Sequence, residues 1–295
     1  MGALLERLAR NKLLVSDGAW GTLLQAKGLQ PGECPEEWNV SHPKEVQSVA
    51  AAYEKAGTDI VLSDTFGGSR PKLKKFGFES RVGTFNEAGA RNSVAGAPKC
   101  IVAASIGPTG EFLEPVGDMT EADMILAFEE QIRALHQGGV RALCIETMSA
   151  IDEAVCAVRA ARQVDPQFDI IVTLTFELGQ QGFRTMMGVS PGQAAQALDQ
   201  AGADVVGANC GNGMERMIDI TREMRAVTKK PILIHANAGM PQLVDGKTVF
   251  KETPADMAGR IQAVVKAGAQ IVGGCCGTTP EHVAAIRKEI DKLRR

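Results

Sequence analysis

The sequence has little of what marks several classes of protein. Aromatic residues make up only 4% of its 295 residues, and no run approaches the roughly 18 apolar residues that a membrane span needs. Acidic and basic side chains number 35 and 32, which gives a formal net charge of −3. This balance excludes the strongly basic surface typical of nucleic-acid-binding proteins and a polybasic membrane patch. We therefore expect neither nucleic acid nor a membrane among its partners.

Signals for secretion and for disulfide bonding are also lacking. The segment Met1–Arg7 has neither the basic start nor the apolar core of a signal peptide. The seven cysteines are odd in number and irregularly spaced, and a chain of this size does not need disulfides to fold. Hydrophobic residues at 44% and charged residues at 23% are ordinary for a globular protein. We expect a cytoplasmic protein with reduced thiols.

Short apolar runs recur along the chain, and each is followed by a longer amphipathic stretch. Continuous Val/Ile/Leu runs are typical of strands buried on both faces of a parallel sheet. Ser-Pro or Thr-Pro pairs and later glycines predict where helices begin and end, as over Ser190–Gly202 and over Thr253–Gly268. The predicted strands are Leu13–Asp17, Asp59–Asp64, Cys100–Ile106, Ala142–Glu146, Asp169–Phe176, Asp204–Asn209, Ile232–Ala236 and Gln270–Gly274.

Eight repeats of a strand and a helix predict an α/β fold, a single (β/α)8 TIM barrel that forms one domain over residues 1–295. An open doubly wound sheet is the alternative. Its first turn would usually carry a Gly-rich dinucleotide fingerprint, which Asp17–Gly21 does not match. Gln25–Ser41, with its prolines and glycine, is predicted to be a loop over the barrel mouth.

Cysteines end two of the predicted strands. Function in such barrels lies at the carboxyl ends of the strands, where Cys210 follows the sixth strand and Cys275-Cys276 follow the eighth. In a closed barrel these ends are near enough for the three sulfurs to meet. Three thiolates with a fourth, exchangeable position indicate a catalytic zinc site, whereas a strained vicinal disulfide is the alternative for the pair. The remaining cysteines are predicted to be small buried or loop residues: Cys34, Cys100, Cys144 and Cys156.

Three motifs resemble the zinc-dependent homocysteine S-methyltransferase family. They are Asn209-Cys210, Gly273–Thr278 and Asp17–Thr22, and the resemblance runs from about Leu13 to the C-terminus. Within that family, Thr65–Gly77 is similar to the homocysteine-binding module of cobalamin-dependent methionine synthase. The resemblance implies Zn²⁺ on the three cysteines, homocysteine as substrate and methionine as product.

The chemistry of the residues agrees with this implication. A free thiol with a pKa of about 8.5 is mostly protonated at neutral pH, and zinc deprotonates a thiol that coordinates it. A zinc ion held by three thiolates keeps the fourth, substrate sulfur electron-rich. That sulfur can then attack an activated methyl group, so no separate general base is needed.

The resemblance also implies which residues hold the amino acid. Asp17 and Glu146 match positions that bind the substrate ammonium group, and charge-assisted hydrogen bonds favour such a pair. The alternatives are a turn cap for Asp17 and a satisfied buried carboxylate for Glu146. The Gly18-Ala19 backbone is expected to donate N–H groups to the substrate carboxylate, and Ser105 belongs to the matching strand end.

Three further residues near the strand ends need separate treatment. Asn237 is expected to fill the fourth zinc position through its amide oxygen when substrate is absent, the alternative being a turn residue before Gly239. We expect His235 to be a packed histidine that faces away from Asn237. Asp64 departs from the family pattern, in which the methionine synthase module has Asn.

The methyl donor is predicted from the scarcity of aromatic residues. A quaternary ammonium donor is often held by an aromatic cage, and the predicted strand ends supply none. We expect a methylcorrinoid on a separate corrinoid protein or a cobalamin domain, with free methylcobalamin as a slow surrogate. The alternatives are S-methylmethionine, S-adenosylmethionine or betaine as donor, or a non-catalytic zinc-holding subunit of a corrinoid methyltransferase system.

Overall fold

Eight parallel strands form a barrel in a computed structural model that describes residues 2–244 and 247–294 and, within these ranges, leaves out the side chains of residues 244 and 247. Strands adjacent in sequence are adjacent in the sheet, and a bridge between Ser16 and Ile60 joins the first strand to the second. The predicted (β/α)8 barrel is confirmed. The strands are β1 (Leu14–Val15), β2 (Ile60–Val61), β3 (Ile101–Ile106), β4 (Ala142–Met148), β5 (Asp169–Leu174), β6 (Val205–Gly213), β7 (Ile232–Asn237) and β8 (Ile271–Gly274).

Helices surround the barrel, and an additional helix at the N-terminus lies across its lower end. Leu4 and Leu8 of this helix pack on the lower interior layer, and the Asp169 carboxylate accepts the Leu4 N–H at 2.9 Å. The helices are Ala3–Asn11, Trp20–Ala26, Trp38–Ser41, Pro43–Ala56, Arg70–Lys74, Val82–Gly96, Glu121–Gln137, Ile151–Val164, Pro191–Ala201, Met214–Arg225, Pro254–Ala258, Ile261–Ala267 and Pro280–Leu293, with 3-10 turns at Pro35–Glu37 and Glu79–Arg81. Among the residues described, no helix is both long and apolar enough to cross a bilayer.

Local sequence signals placed the ends of the helix over Ser190–Gly202 correctly. Ser190 caps its helix through a capping box with Gln193, and Gly202 ends it with a left-handed φ of 93°. The single helix predicted over Thr253–Gly268 is wrong, because the α-helical hydrogen-bond pattern is interrupted at Arg260, whose N–H donates to the Met257 carbonyl at 3.1 Å. Gly259 lies at this break, and glycine is a poor helix former.

Side-chain carboxylates join β1 to β2. These strands have only two residues each, fewer than predicted, because Asp17 accepts the Leu62 N–H at 2.7 Å in place of a backbone carbonyl. At the lower end of the contact between β1 and β2, Asp59 Oδ2 accepts the Val15 N–H at 2.9 Å. It also pairs with Arg287 at 2.9 Å and Arg294 at 3.0 Å from the C-terminal helix and its end.

Replacing Asp59 is expected to destabilise the barrel. Asp59→Ala removes the acceptor for a strand amide and for two partly buried guanidinium groups, which should cost roughly 3 kcal/mol of unfolding free energy. Urea denaturation measures this cost. The exposed pair of Asp219 with Arg222 supplies the control, since Asp219→Ala should change stability by less than about 0.5 kcal/mol. Equal stabilities of the two variants would contradict a structural role for the Asp59 hydrogen bonds and ion pairs.

Segments that follow the strands build the upper rim of the barrel. The segment Gln25–Ser41 was predicted to be a loop, but it includes the 3-10 turn Pro35–Glu37 and the short helix that follows; its Gln25, Pro35 and Glu36 line the space at the upper end of the barrel. Two hairpins, one after β5 and one after β7, were not predicted. They pair Glu177–Gly179 with Gly182–Arg184, and Gln242–Val244 with Lys247–Val249.

Candidate functional site

Three cysteine sulfurs meet at the upper end of the barrel. The Sγ atoms of Cys210, Cys275 and Cys276 all lie within 4.8 Å of one another, and they form the one cluster of three metal-ligating side chains among the described residues. Cys210 Sγ is 3.8 Å from Cys276 Sγ, and two zinc–sulfur bonds of about 2.3 Å at a tetrahedral angle place sulfurs about 3.8 Å apart. All seven cysteines lie in the described part of the chain and are free thiols. The donor set therefore fits zinc.

Backbone conformation directs these cysteines toward one point. Cys210 has a φ of 59° and Gly211 a φ of 67°, and the pairing of β6 with β7 is irregular between Asn209 and Gly213. A left-handed conformation is uncommon and strained for a residue other than glycine, and it is often found at functional sites. After β8, Thr278 Oγ1 donates to the Cys275 carbonyl at 2.6 Å, which fixes the turn that carries the cysteine pair.

The thiols share negative charge when no metal neutralises it. Hydrogen bonds from the other two thiols lower the pKa of Cys210 to about 3. The same bonds raise the pKa of Cys275 well above its usual range and that of Cys276 to about 11. The cluster by itself thus favours one thiolate over three. A divalent cation is what would allow all three to ionise.

Two asparagines flank the sulfur cluster. The Asn237 side chain contributes to the lowered pKa of Cys210, and its Oδ1 is buried with no partner among the described residues. That oxygen is available to a metal, and its service as a fourth ligand stays a prediction. Asn209 accepts the Thr147 N–H at 2.8 Å and the Thr173 hydroxyl at 2.7 Å. Its Nδ2 lies 3.4 Å from Glu146 and 3.9 Å from Cys275 Sγ, so it links the cluster to the carboxylate.

A cavity of about 420 Å³ adjoins the three sulfurs. Among the predicted site residues, seven line it, whereas Asp17 and Asn237 do not. The seven are Gly18, Ala19, Ser105, Glu146, Cys210, Cys275 and Cys276. The closure of the barrel thus brings together residues from five of its strand ends.

Glu146 is one of the carboxyl groups that line this cavity, and it lies beside the sulfur cluster. Ser105 Oγ donates to its Oε1. Burial raises the pKa of Glu146 to about 7, and the nearby charges of Asp17 and Cys210 add to the shift. A buried carboxylate of this kind is stabilised by a cationic partner.

Asp17 is fully buried, and the chain's own donors occupy it. Its Oδ2 accepts the Trp20 Nε1–H at 2.8 Å and the Leu62 N–H at 2.7 Å. Burial still raises the pKa of Asp17 to about 7. Asp17 therefore holds the Trp20 side chain and the backbone at the start of the loop after β2. Its contact with a substrate ammonium group stays a prediction.

The backbone after β1 offers uncommitted donors, Gly18 and the first residues of the helix Trp20–Ala26, whose N-cap makes no side-chain hydrogen bond. The Ala19 N–H donates to Thr278 Oγ1 at 3.1 Å, and the Tyr53 hydroxyl donates to the Ala19 carbonyl at 2.8 Å. The Gly18 N–H has no acceptor within the described ranges. A Cβ at Gly18 would lie 2.5 Å from Thr278 Oγ1, so only glycine fits. Gly18 is thus one of the backbone groups left for a substrate carboxylate.

His235 lies where the sequence interpretation did not place it. It lines the cavity, and the expectation that it faces away from the site is wrong. Side chains two residues apart in a strand share a face, so the spacing from Asn237 predicts what is observed. Burial lowers the pKa of His235 to about 4, which keeps the ring neutral.

Two more carboxyl groups, Glu36 and Asp64, line the same cavity. Sequence reasoning noted Asp64 only as a departure from a family pattern and did not identify Glu36. The acidic motif Cys34–Glu37 precedes no strand or long helix, so no periodicity indicated that it enters the site.

Comparison with known proteins places these features in a family. A family model for homocysteine S-methyltransferase matches residues 14–290. The methionine synthases of Mycobacterium tuberculosis and Mycobacterium leprae are each 28% identical to this chain over 299 and 301 residues, which cover 96% of it. The chain spans only 25% and 24% of the length of these relatives.

Solved structures show the same barrel. The metallated form of the Escherichia coli homocysteine methyltransferase MmuM has a TM-score of 0.80 at 20% identity, with 97% of this chain and 99% of that chain covered. Its apo form has a TM-score of 0.73 at 19% identity. At these identities the likeness establishes the fold, whereas the family model covers the barrel from β1 to the last helix. The chain belongs to the homocysteine S-methyltransferase family, whose members transfer methyl groups to homocysteine.

Proposed function

We propose that this chain methylates homocysteine to methionine, with zinc bound by Cys210, Cys275 and Cys276. The observation that carries the proposal is the sulfur cluster, with 3.8 Å between Cys210 and Cys276, at the edge of a cavity that Glu146 also lines. Residues 1–295 would act as one homocysteine-binding domain, since a single barrel supplies every group.

The residues around the cavity have distinct tasks in this proposal. Zinc, when bound, supplies a Lewis acid that keeps the substrate sulfur as a thiolate. Glu146, held by Ser105, binds the substrate ammonium group, and the charge of Asp17 behind it adds attraction. The Gly18 N–H binds the substrate carboxylate. Asn209 holds the backbone next to Glu146 and orients the cluster.

We further propose that a methylcorrinoid supplies the methyl group, carried by a separate corrinoid protein or by a cobalamin domain. Exposed apolar side chains stand on the loops after several strands, as a broad docking partner requires. They include Phe66, Phe112, Val116, Met186 and Leu243. The chain spans about a quarter of the methionine synthases that it matches, which leaves room in such proteins for a donor domain. A non-catalytic zinc-holding subunit would have no use for Glu146 in the cavity.

A panel of methyl donors tests this function. The zinc-loaded protein, given homocysteine, is expected to form methionine from methylcobalamin slowly and none from betaine. Cysteine in place of homocysteine is the control and should not be methylated at a comparable rate. Formation of methionine from betaine but not from methylcobalamin would contradict only the proposal of a corrinoid donor. If no donor gave methionine, and X-ray absorption showed no sulfur added to zinc by homocysteine, the proposed function would be wrong.

A further inference from the structure

A buried histidine lines the cavity without a task in the reaction above. His235 lies on β7, and its side chain is almost completely buried, with 1% of the residue exposed. Its Nε2 atom is buried and has no hydrogen-bond partner among the described residues. A buried polar atom without a partner costs free energy, and native structures seldom keep one without a reason. The partner of this nitrogen is therefore to be sought among groups that enter the cavity.

A glycine on the neighbouring strand makes room for the imidazole ring. Gly273 of β8 is paired with His235 in the sheet. A Cβ at Gly273 would lie 3.0 Å from His235 Cδ2 and 2.8 Å from the Asp17 carbonyl oxygen. The ring thus lies over β8 and reaches toward the end of β1, where the Gly18 N–H has no acceptor within the described ranges. Both nitrogens therefore border the same side of the cavity.

Acidic groups dominate the other side chains of the lining. Glu36, Asp64 and Glu146 line the cavity, and among the described residues neither lysine nor arginine does. His235 is thus the one basic side chain of the lining. Burial lowers the pKa of the His235 ring to about 4, so the ring is neutral at pH 7. A neutral imidazole has one N–H group, and the tautomer that is protonated at Nε2 donates into the cavity.

An amino-acid substrate brings a carboxylate into this acidic cavity together with its ammonium group. In the proposed function the ammonium group binds to Glu146 on β4, which lies across the barrel from β8. The carboxylate is attached to the same carbon atom and needs hydrogen-bond donors, because its charge is costly to bury without them. Hydrogen bonds to an ionised acceptor are also stronger than those between neutral groups. The side of the cavity next to β8 and β1 supplies such donors.

We propose that His235 is a specificity-determining residue, which donates its Nε2–H to the α-carboxylate of homocysteine beside the Gly18 N–H. This rests on the proposed function and adds to it a side chain that selects thiols with a carboxylate. A thiol without a carboxylate leaves the imidazole unpartnered and gains nothing from it. His235 contacts no reacting atom in this proposal. Its loss should therefore raise the KM for homocysteine and leave kcat with methylcobalamin nearly unchanged.

Titration calorimetry of the zinc-loaded protein with two thiols tests this role without depending on turnover. Homocysteine is the probe, and homocysteamine, its decarboxylated form, keeps the thiol and the amine at the same spacing. His235→Leu should weaken homocysteine binding about ten- to a hundredfold, the value of a charged hydrogen bond. The affinity for homocysteamine should not change, and that result also shows that the variant is folded and holds zinc.

Two further variants separate a hydrogen bond from a packing effect. His235→Gln retains an N–H donor in a side chain of similar length, so it should recover most of the affinity for homocysteine. His136→Leu is the control, because His136 lies on the helix Glu121–Gln137 and does not line the cavity. It should bind both thiols as the wild-type protein does.

Three results would overturn the role of His235. They are an equal loss of affinity for both thiols in His235→Leu, an unchanged homocysteine affinity in that variant, and a wild-type protein that binds homocysteamine as tightly as homocysteine. Methionine formation by the wild-type protein would survive each of them, so the proposed function would stand. A wild-type protein that binds zinc but neither thiol would instead contradict the proposed function itself.

Discussion

Cys276→Ser is expected to lose stoichiometric zinc and, with it, methyl transfer to homocysteine. Serine is a hard ligand that stays protonated, so the variant keeps only two thiolates. It loses the Cys210–Cys276 pair of sulfurs, whose 3.8 Å separation matches tetrahedral zinc. Metal affinity should fall by more than about a hundredfold, beyond what loss of a supporting residue costs. Metal analysis after dialysis, paired with a methionine assay, measures both effects.

Cys144 supplies the control for this prediction. It is buried in the lower interior layer of the barrel with Leu14 and Ile171 and is not part of the sulfur cluster. Cys144→Ala should leave the zinc content unchanged. Full zinc content and activity in Cys276→Ser would show that the three-thiolate site is wrong, whereas zinc loss in both variants would point to a general effect on folding.

Glu146→Gln is expected to weaken homocysteine binding about ten- to a hundredfold, because one charged hydrogen bond to the ammonium group is lost. The zinc content should not change, since Glu146 Oε2 reaches the cluster only through Asn209. Titration calorimetry with homocysteine measures the loss. Unchanged affinity would remove Glu146 from the substrate site.

The same variant reveals a pH dependence of known sign. Burial raises the pKa of Glu146 to about 7, and only the ionised form attracts an ammonium group. Homocysteine affinity should therefore rise as the pH increases through about 7 and fall below it. Glu146→Gln should lack this component while keeping the dependence that comes from loss of the thiol proton. Identical pH profiles of the two proteins would contradict the assignment.

Most of the fold could be predicted because its signals are local. Continuous apolar runs indicated all eight strands, and pairs such as Ser190-Pro191 indicated helix starts, since capping depends on neighbouring residues. The lengths of the strands could not all be predicted in this way. β1 and β2 are short because Asp17 and Asp59 replace backbone pairing with carboxylate hydrogen bonds, and those partners lie more than 40 residues apart in sequence.

The sulfur cluster could be predicted because the barrel topology brings the ends of β6 and β8 together. The Glu36–Asp64 pair could not, since Glu36 reaches the cavity on an irregular segment whose path depends on packing. Asn209 was noticed only as part of a motif, although its position at a strand end beside Cys210 is what allows it to contact Glu146 and Cys275.

Asp17 and Glu146 show which features of the site the sequence alone could not predict. The sequence by itself determined that each would be a carboxylate at the end of a barrel strand, and that three cysteines would gather nearby. Only the tertiary structure decided that Glu146 faces the cavity while Trp20 and Leu62 occupy Asp17. The reason is physical. A carboxylate accepts hydrogen bonds from whichever donors the folded chain places within reach, and that placement depends on the closure of the barrel.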